Sequence, residues 1–310
     1  MENTDNKTCI ERIEIKGLRG RCDVNWALHS DVNILVGENG TGKSTILRII
    51  KNLMKVGNNT IASGVITHSD TVESFNLFTK SNLCFPDNET IEGNYIHDEG
   101  KQGHVSVKRD GIFRPNFDYI NTFESQLLDR GVIEKIANND VKTSLDFSLY
   151  NLEQRYWKYQ IELYERIVDQ SLDKEEVNAN HRLFIEKVNR FFSVTGKTFA
   201  QRRDTKAIVF NEKETELSLY QLSSGEKQLL VILLTVLMQD QKPFVLLMDE
   251  PEISLHLRWQ DELIEVIREL NPNCQVIIVT HSPSLFSDGW NDRIFWMEDI
   301  CKPIQKLETV

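Results

Sequence analysis

Residues 37–45 read Gly-Glu-Asn-Gly-Thr-Gly-Lys-Ser-Thr and contain the spacing Gly37-x4-Gly42-Lys43-Ser44, the pattern of a phosphate-binding P-loop. Glycines let successive backbone N–H groups turn inward around phosphate oxygens. A helix beginning there adds unpaired donors and positive dipole potential. The candidate nucleotide-binding residues are therefore Gly37, Asn39, Gly40, Thr41, Gly42, Lys43, Ser44 and Thr45. Lys43 supplies a point charge for the β- and γ-phosphates, and Ser44 a hydroxyl for Mg2+. A dinucleotide loop fits poorly, because Gly37, Gly40 and Gly42 do not match G-x-G-x-x-G.

Three further clusters could act on the same triphosphate. Met248-Asp249-Glu250-Pro251 follows the apolar run Phe244-Val245-Leu246-Leu247. An acidic pair there is costly to bury unless a cation meets it. Asp249 is the candidate to hold Mg2+ through its water shell. Glu250 is the candidate general base that orients and deprotonates the attacking water. Thr280-His281-Ser282-Pro283 follows a second apolar run, Val276-Ile277-Ile278-Val279, which suggests that His281 contacts the γ-phosphate or the water. Leu222-Ser223-Ser224-Gly225-Glu226-Lys227-Gln228 precedes the most apolar helix of the chain. Ser-Ser-Gly at a helix start offers hydroxyls, N–H groups and dipole to an anion. Taken without the other motifs, it reads rather as a plain N-cap with Glu226 in the first turn.

The elements that must position these residues follow from pattern. Residues 9–36 read as strands and 46–56 as the helix behind the P-loop. Between about 60 and 123 the pattern is short and β-like; Val105 and Val107 before Asp110-Gly111 suggest a hairpin, and 117–123 another strand. From about 124 to 195 the reading is helical. Leu145, Leu149, Leu152, Tyr156, Tyr159 and Leu163 form a heptad-like seam, either a helical subdomain packed on itself or a partner-binding coiled coil. Strands resume near 198–210, helices are expected at 226–238 and 257–270, and 244–248 and 276–279 read as buried parallel strands. The alternation means an α/β sandwich.

Composition sets bounds. The 310 residues are 40% hydrophobic and 27% charged, ordinary for a soluble globular protein. A net charge of −11 gives no chain-wide basic footprint for nucleic acid or membrane. Cys9, Cys22, Cys84, Cys274 and Cys301 stand alone, with no C-x-x-C pair, and read as reduced, mostly buried thiols of a cytoplasmic protein. No apolar signal core or membrane-length run is present.

Taken together and in order, the four motifs resemble those of AAA-family, ABC-type ATPases: P-loop, signature, acidic strand end (Walker B) and histidine loop. The nearest likeness is to the soluble branch of SMC and DNA-repair ATPases, OLD-family ATPase domains and ATPases of anti-phage defence systems. Ile10 to Leu35 resembles that branch's strand, basic loop and strand, with Lys16, Arg19 and Arg21 where it places nucleotide-contacting residues. Residues 250–256 resemble its D-loop. Ser224 stands where the common signature has glycine.

The resemblance implies an ABC-type P-loop NTPase with a mostly parallel core sheet, an N-terminal antiparallel β region and an inserted helical lobe. Its boundaries are expected as 1–123, 124–197 and 198–310. It implies an Mg-dependent ATPase in which two ATP molecules are held between head-to-tail protomers, with Ser223 and Gly225 touching the facing chain's γ-phosphate. It also implies a glutamine that reaches Mg2+: Gln126, with Gln102 as runner-up. The expected output is control of a separate effector, a nuclease or toxin, since only about 13 residues follow Met297. The alternatives are a DNA-binding repair or SMC-like clamp, a transporter subunit and a non-hydrolysing scaffold.

Overall fold

The computed structural model describes residues 9–59, 63–66, 78–96, 104–111, 114–121, 136, 138, 140–202, 204–285 and 289–304. In chain order its elements are β1 (Arg12–Leu18), β2 (Cys22–Ala27), β3 (Val32–Val36), α1 (Lys43–Asn59), β4 (Ser63–Ile66), β5 (Lys80–Cys84), β6 (Thr90–Ile96), β7 (His104–Asp110) and β8 (Phe117–Asn121). Then come α2 (Ser144–Val168), α3 (Lys174–Val177), α4 (Ala179–Phe192), β9 (Lys197–Gln201), β10 (Ile208–Glu212), β11 (Thr215–Ser218) and α5 (Ser224–Leu237). The chain ends with β12 (Phe244–Asp249), α6 (Leu257–Leu270), β13 (Cys274–Val279), β14 (Ile294–Trp296), α7 (Met297–Ile300) and β15 (Cys301–Pro303).

These elements form two compact units. The first is Met1–Ile120 with Pro243–Glu250 and Asn273–Val310. It contains a five-stranded sheet of order β14-β3-β13-β12-β8 and a seven-stranded sheet of order β15-β2-β1-β5-β6-β7-β4. In the first sheet β14, β3, β13 and β12 run parallel; in the second every pair is antiparallel. Burial along their whole length explains the apolar stretches 34–36 of β3 and 276–279 of β13, where Asn33 and Gln275 are buried too, while β1 alternates, presenting Ile13 and Ile15 inward. The core of this unit joins Ile13, Ile15, Trp26, Leu83 and Val107 to Ile46, Ile49, Ile50 and Leu53 of α1 and to Leu247 and Ile277 of the parallel sheet.

Two expectations are corrected here. Asp110-Gly111 does not close a hairpin onto the next strand: β7 pairs with β6 and β4, and β8 joins the other sheet. A turn signal marks where the chain bends, not which edge accepts the strand that follows. Nor are all five cysteines reduced. Cys22 and Cys301 form a disulfide between β2 and β15, while Cys9, Cys84 and Cys274 remain thiols. The partners lie 279 residues apart, so local cysteine spacing carries no trace of the bond.

The second unit is Asn121–Lys242 with Pro251–Pro272. Thr143 caps α2 in a reciprocal capping box with Asp146. The predicted seam of α2, from Leu145 to Leu163, is buried within the protein, which favours the self-packed reading of that face. Most of 122–139, the first part of the expected helical stretch, lies outside the described residues; residues 140–143 are non-helical and α2 begins at Ser144. Phe192 of α4 stacks between Phe210 and Trp259, with centroid distances of 4.5 and 6.0 Å. Around them α4, α5 and α6 pack with the three-stranded antiparallel sheet β11-β10-β9.

Candidate active site

Strand register brings the predicted phosphate-handling residues of the first unit together. Asp249 pairs across from Val279, Val279 from Leu35, and Trp296 from Val36. Four parallel strands thus end level, and the segments beyond them share one edge, where open α/β sheets bind ligands. Those segments are Gly37–Ser44 after β3, Glu250 after β12 and Thr280-His281 after β13. Trp296 ends β14 at the same edge.

The P-loop turns directly into α1. Gly40 and Gly42 take positive φ values of 77° and 107°, conformations that side-chain-bearing residues rarely adopt. The first helical bond runs from the N–H of Ile46 to the carbonyl of Gly42 at 3.0 Å. Lys43 is only 4% exposed. Its ammonium donates to the carbonyls of Gly37 and Glu38, both at 2.8 Å. Burial pulls its pKa below the ordinary lysine value, against the opposing pull of Glu250 and Asp249. A partly desolvated ammonium held between its own loop and two carboxylates is poised to meet an anion. Thr41 folds its hydroxyl onto the carbonyl of Glu38 at 2.8 Å. Asn39 is exposed, Ser44 half-buried and Thr45 buried.

Arg19 is the basic residue of the β1–β2 loop that reaches this site. It donates to the hydroxyl of Thr45 at 2.7 Å and to the carbonyl of Gly40 at 3.3 Å. Lys16 instead pairs with Asp23 at 2.9 Å, and Arg21 shows no side-chain contact to the loop among the described residues.

At the acidic end, Asp249 is buried at 2% exposure. Glu250 adopts a left-handed backbone, φ 49°, with its N–H on the carbonyl of Val279 at 2.8 Å. A positive φ on a non-glycine residue is uncommon and clusters at functional positions. The Glu250 carboxylate lies 3.6 Å from Nε2 of His281. Among the described residues no cluster of three or more His, Cys, Asp or Glu could cage a metal. A carboxylate and a serine hydroxyl, Asp249 and Ser44, are nevertheless the oxygen donors that Mg2+ accepts when phosphate and water complete its shell. Gln126 and Gln102 lie outside the described residues.

Sequence reasoning missed the wall of this site. A cavity of about 470 Å³ opens along the P-loop, lined by Gly37, Glu38, Thr41, His281, Trp296 and Glu298. A Cβ built at Gly37 would stand 2.8 Å from the Cβ of Met297, so α7 presses on the loop. The one usable signal is the short apolar run Ile294-Phe295-Trp296-Met297 set between charged residues.

Ser223 and Gly225 belong to the second unit. Ser223 caps α5: its hydroxyl accepts from the N–H of Glu226 at 3.3 Å, and the Glu226 carboxylate accepts from the Ser223 N–H at 2.8 Å. Ser223 and Ser224 are exposed and Gly225 is buried. A Cβ at Gly225 would fall 2.2 Å from the carbonyl oxygen of Ser254, itself at φ 75°. Glycine at 225 therefore lets the loop after Glu250 lie against the first turn of α5. Glu226, 2% exposed, takes bonds from Lys197 at 2.9 Å and Thr195 at 2.7 Å.

Comparison with known proteins places the chain in a family. A model of the AAA ATPase domain matches residues 9–189, and one described as "AAA domain, putative AbiEii toxin, Type IV TA system" matches residues 108–288. Each covers more than half of the chain. The chain belongs to the AAA ATPase family. Among curated relatives of this ATPase, the Septu protein PtuA of Bacillus thuringiensis is 21% identical over 89% of this chain and 72% of its own length. A probable ATPase of retron Vc95 from Vibrio cholerae is 25% identical over 39% of this chain, which spans only 26% of that relative. Among solved structures, the Smc head domain of Pyrococcus furiosus aligns with a TM-score of 0.53 at 14% identity, covering 95% of both chains. The fold is accordingly that of an α/β P-loop NTPase of the Smc-head type, as the motifs implied. Among the described residues no helix is long and apolar enough to cross a membrane.

Proposed function

We propose that this AAA ATPase hydrolyses ATP with Mg2+ between two head-to-tail copies of the chain, as the ATPase component of an anti-phage defence system that controls a separate effector protein, a nuclease or toxin. The observation that carries the reading is the level ending of β3, β12 and β13, which gathers Lys43, Asp249, Glu250 and His281 at one edge. Likeness to PtuA over most of the chain supports the defence assignment.

In this scheme the P-loop N–H groups and Lys43 bind the β- and γ-phosphates, and Lys43 exchanges its loop carbonyls for phosphate oxygens. Arg19 braces the loop through Thr45 and Gly40. Ser44 and Asp249 would hold Mg2+, which would supply positive charge against the charge developing on the phosphates. Glu250 accepts a proton from water as the water oxygen bonds to the γ-phosphorus and the bond to the β–γ bridging oxygen breaks; ADP and phosphate leave. His281, beside Glu250, orients that water. The exposed Ser223 and the Gly225 turn of the opposite copy cover the γ-phosphate.

The test is Glu250→Gln. ATP binding is expected to persist, with turnover reduced by about two to four orders of magnitude and an ATP-dependent dimer that outlives the parental one in sedimentation. Parental turnover in this variant excludes Glu250 as the base. Ser223→Arg is expected to abolish hydrolysis while nucleotide affinity stays; unchanged activity removes the two-copy site.

A further inference from the structure

Helix α2 has two apolar faces. The buried one is the seam from Leu145 to Leu163 described above. The other is on the surface: Trp157 is 40% exposed, Ile161 40%, Tyr164 66% and Val168 52%. With Gln154, these residues follow spacings of 3, 4, 3 and 4, the repeat of a helix-pairing seam. Scattered surface apolar residues need no explanation, but a contiguous row of large ones marks an interaction site. Tyr and Trp are the side chains that most often anchor interfaces.

The flanks decide what covers the row. On one side Glu153 is tied to the N–H of Ile208 at 2.8 Å, and Gln160 exchanges bonds with Gln201 at 3.1 and 2.8 Å. That flank is committed to the protein's own packing. On the other side stand Lys158 and Glu165, one heptad apart, both exposed and in no ion pair among the described residues. A row bordered by one positive and one negative charge is complementary to itself when reversed.

We propose that this face of α2 binds the same face of a second copy of the chain, antiparallel about a two-fold axis. Stacking Trp157 on Val168 of the other copy, and Ile161 on Tyr164, sets Lys158 against Glu165 on both sides of the axis. In antiparallel pairs the seam layers and the flanking charges require one common register, and here both sets meet it. The parallel arrangement instead sets Lys158 and Glu165 across from the Glu153 and Gln160 flank of the other copy, which is already committed, so Lys158 and Glu165 do not meet. The patch spans about four helical turns, so the contact is weak alone and adds to any interface made elsewhere in the molecule.

The experiment is sedimentation equilibrium of the full chain without nucleotide or Mg2+, so its outcome is independent of the ATP-dependent pairing above. The parental protein is expected to self-associate toward a dimer as concentration rises. Lys158→Glu and Glu165→Lys should each weaken that dimer by about tenfold, because two ion pairs become two repulsions. The double variant should restore it, since opposite charges then face each other again with their signs exchanged. Tyr164→Glu should abolish it. A parental chain that stays monomeric overturns the proposal. So does a double variant as weak as the single ones, which would assign the face to a different protein, or a dimer indifferent to all four changes. Circular dichroism confirms that each variant is folded.

Discussion

At the scale of single residues, the place of a candidate group is legible wherever a motif is continuous in sequence and ends a strand. Lys43, Asp249, Glu250 and His281 are readable because strand register converts three separate segments into one edge. Trp296, Met297 and Glu298 are not, since their contact with the P-loop is made across some 260 positions of chain and no local pattern encodes it. Gly225 reads in sequence as a phosphate contact, yet its structural constraint is steric and comes from Ser254. That gives an expectation opposite to propensity. In an ordinary helix Gly→Ala stabilises by about 1 kcal/mol. At Gly225 the added carbon would meet a backbone carbonyl at 2.2 Å, so Gly225→Ala is expected to destabilise by about 1–3 kcal/mol. Ser224→Ala, at the exposed neighbouring position, should change stability by less than about 0.5 kcal/mol. Urea unfolding of both variants checks the contrast, and a stabilised Gly225→Ala would refute it.

At the scale of elements, α6 is legible to the residue, 257–270, because its apolar period is strong and His256 caps it. Strand partners are less so: the turn at Asp110-Gly111 points β7 to the wrong neighbour, and the short β15 leaves no signal against its surroundings. The signature helix α5 shows how tertiary contacts fix an element that propensity only suggests. Its first turn is pinned by Glu226 to Lys197 and by Lys227 to Asp146 at 2.7 Å. Burial raises the pKa of Glu226, but Lys197, Ser223 and Thr195 outweigh it and leave the value below the ordinary carboxylate range. Asp146 behaves alike, with burial offset by Lys227 and Thr143. Both folded values are depressed, so the stability they contribute is full above about pH 4–5. It is lost as pH falls through the folded values. Lys197→Met leaves Glu226 buried without its cation and should cost about 3 kcal/mol at neutral pH. The gap between variant and parent should close in acid, as Glu226 protonates in both. A gap that stays constant from pH 7 to pH 3 in denaturant titrations would show that the charge pair is not its cause.

At the scale of the whole molecule, the order of motifs points to an α/β P-loop fold, while links between distant parts of the chain are invisible to local pattern. The Cys22–Cys301 disulfide is the clearest case. Edge strand β15 pairs with β2, setting Cys301 opposite Val24 and Pro303 opposite Cys22, and the bond crosses that ladder with Cα atoms 5.8 Å apart. It ties the strand after the Arg19 loop to the strand that follows α7, and α7 presses on Gly37. A crosslink that encloses most of the chain restricts the unfolded state strongly, and native disulfides typically contribute about 2–4 kcal/mol. Thiol titration of denatured, unreduced protein should therefore count three groups of the five cysteines, rising to five after reduction. Cys22→Ser and Cys301→Ser should each lower unfolding stability by a similar amount. Their double variant should add little, because the first change already removes the shared bond. Five thiols before reduction, or additive losses in the double variant, would mean that the two cysteines act separately and that the N- and C-terminal strands are held by their backbone ladder alone.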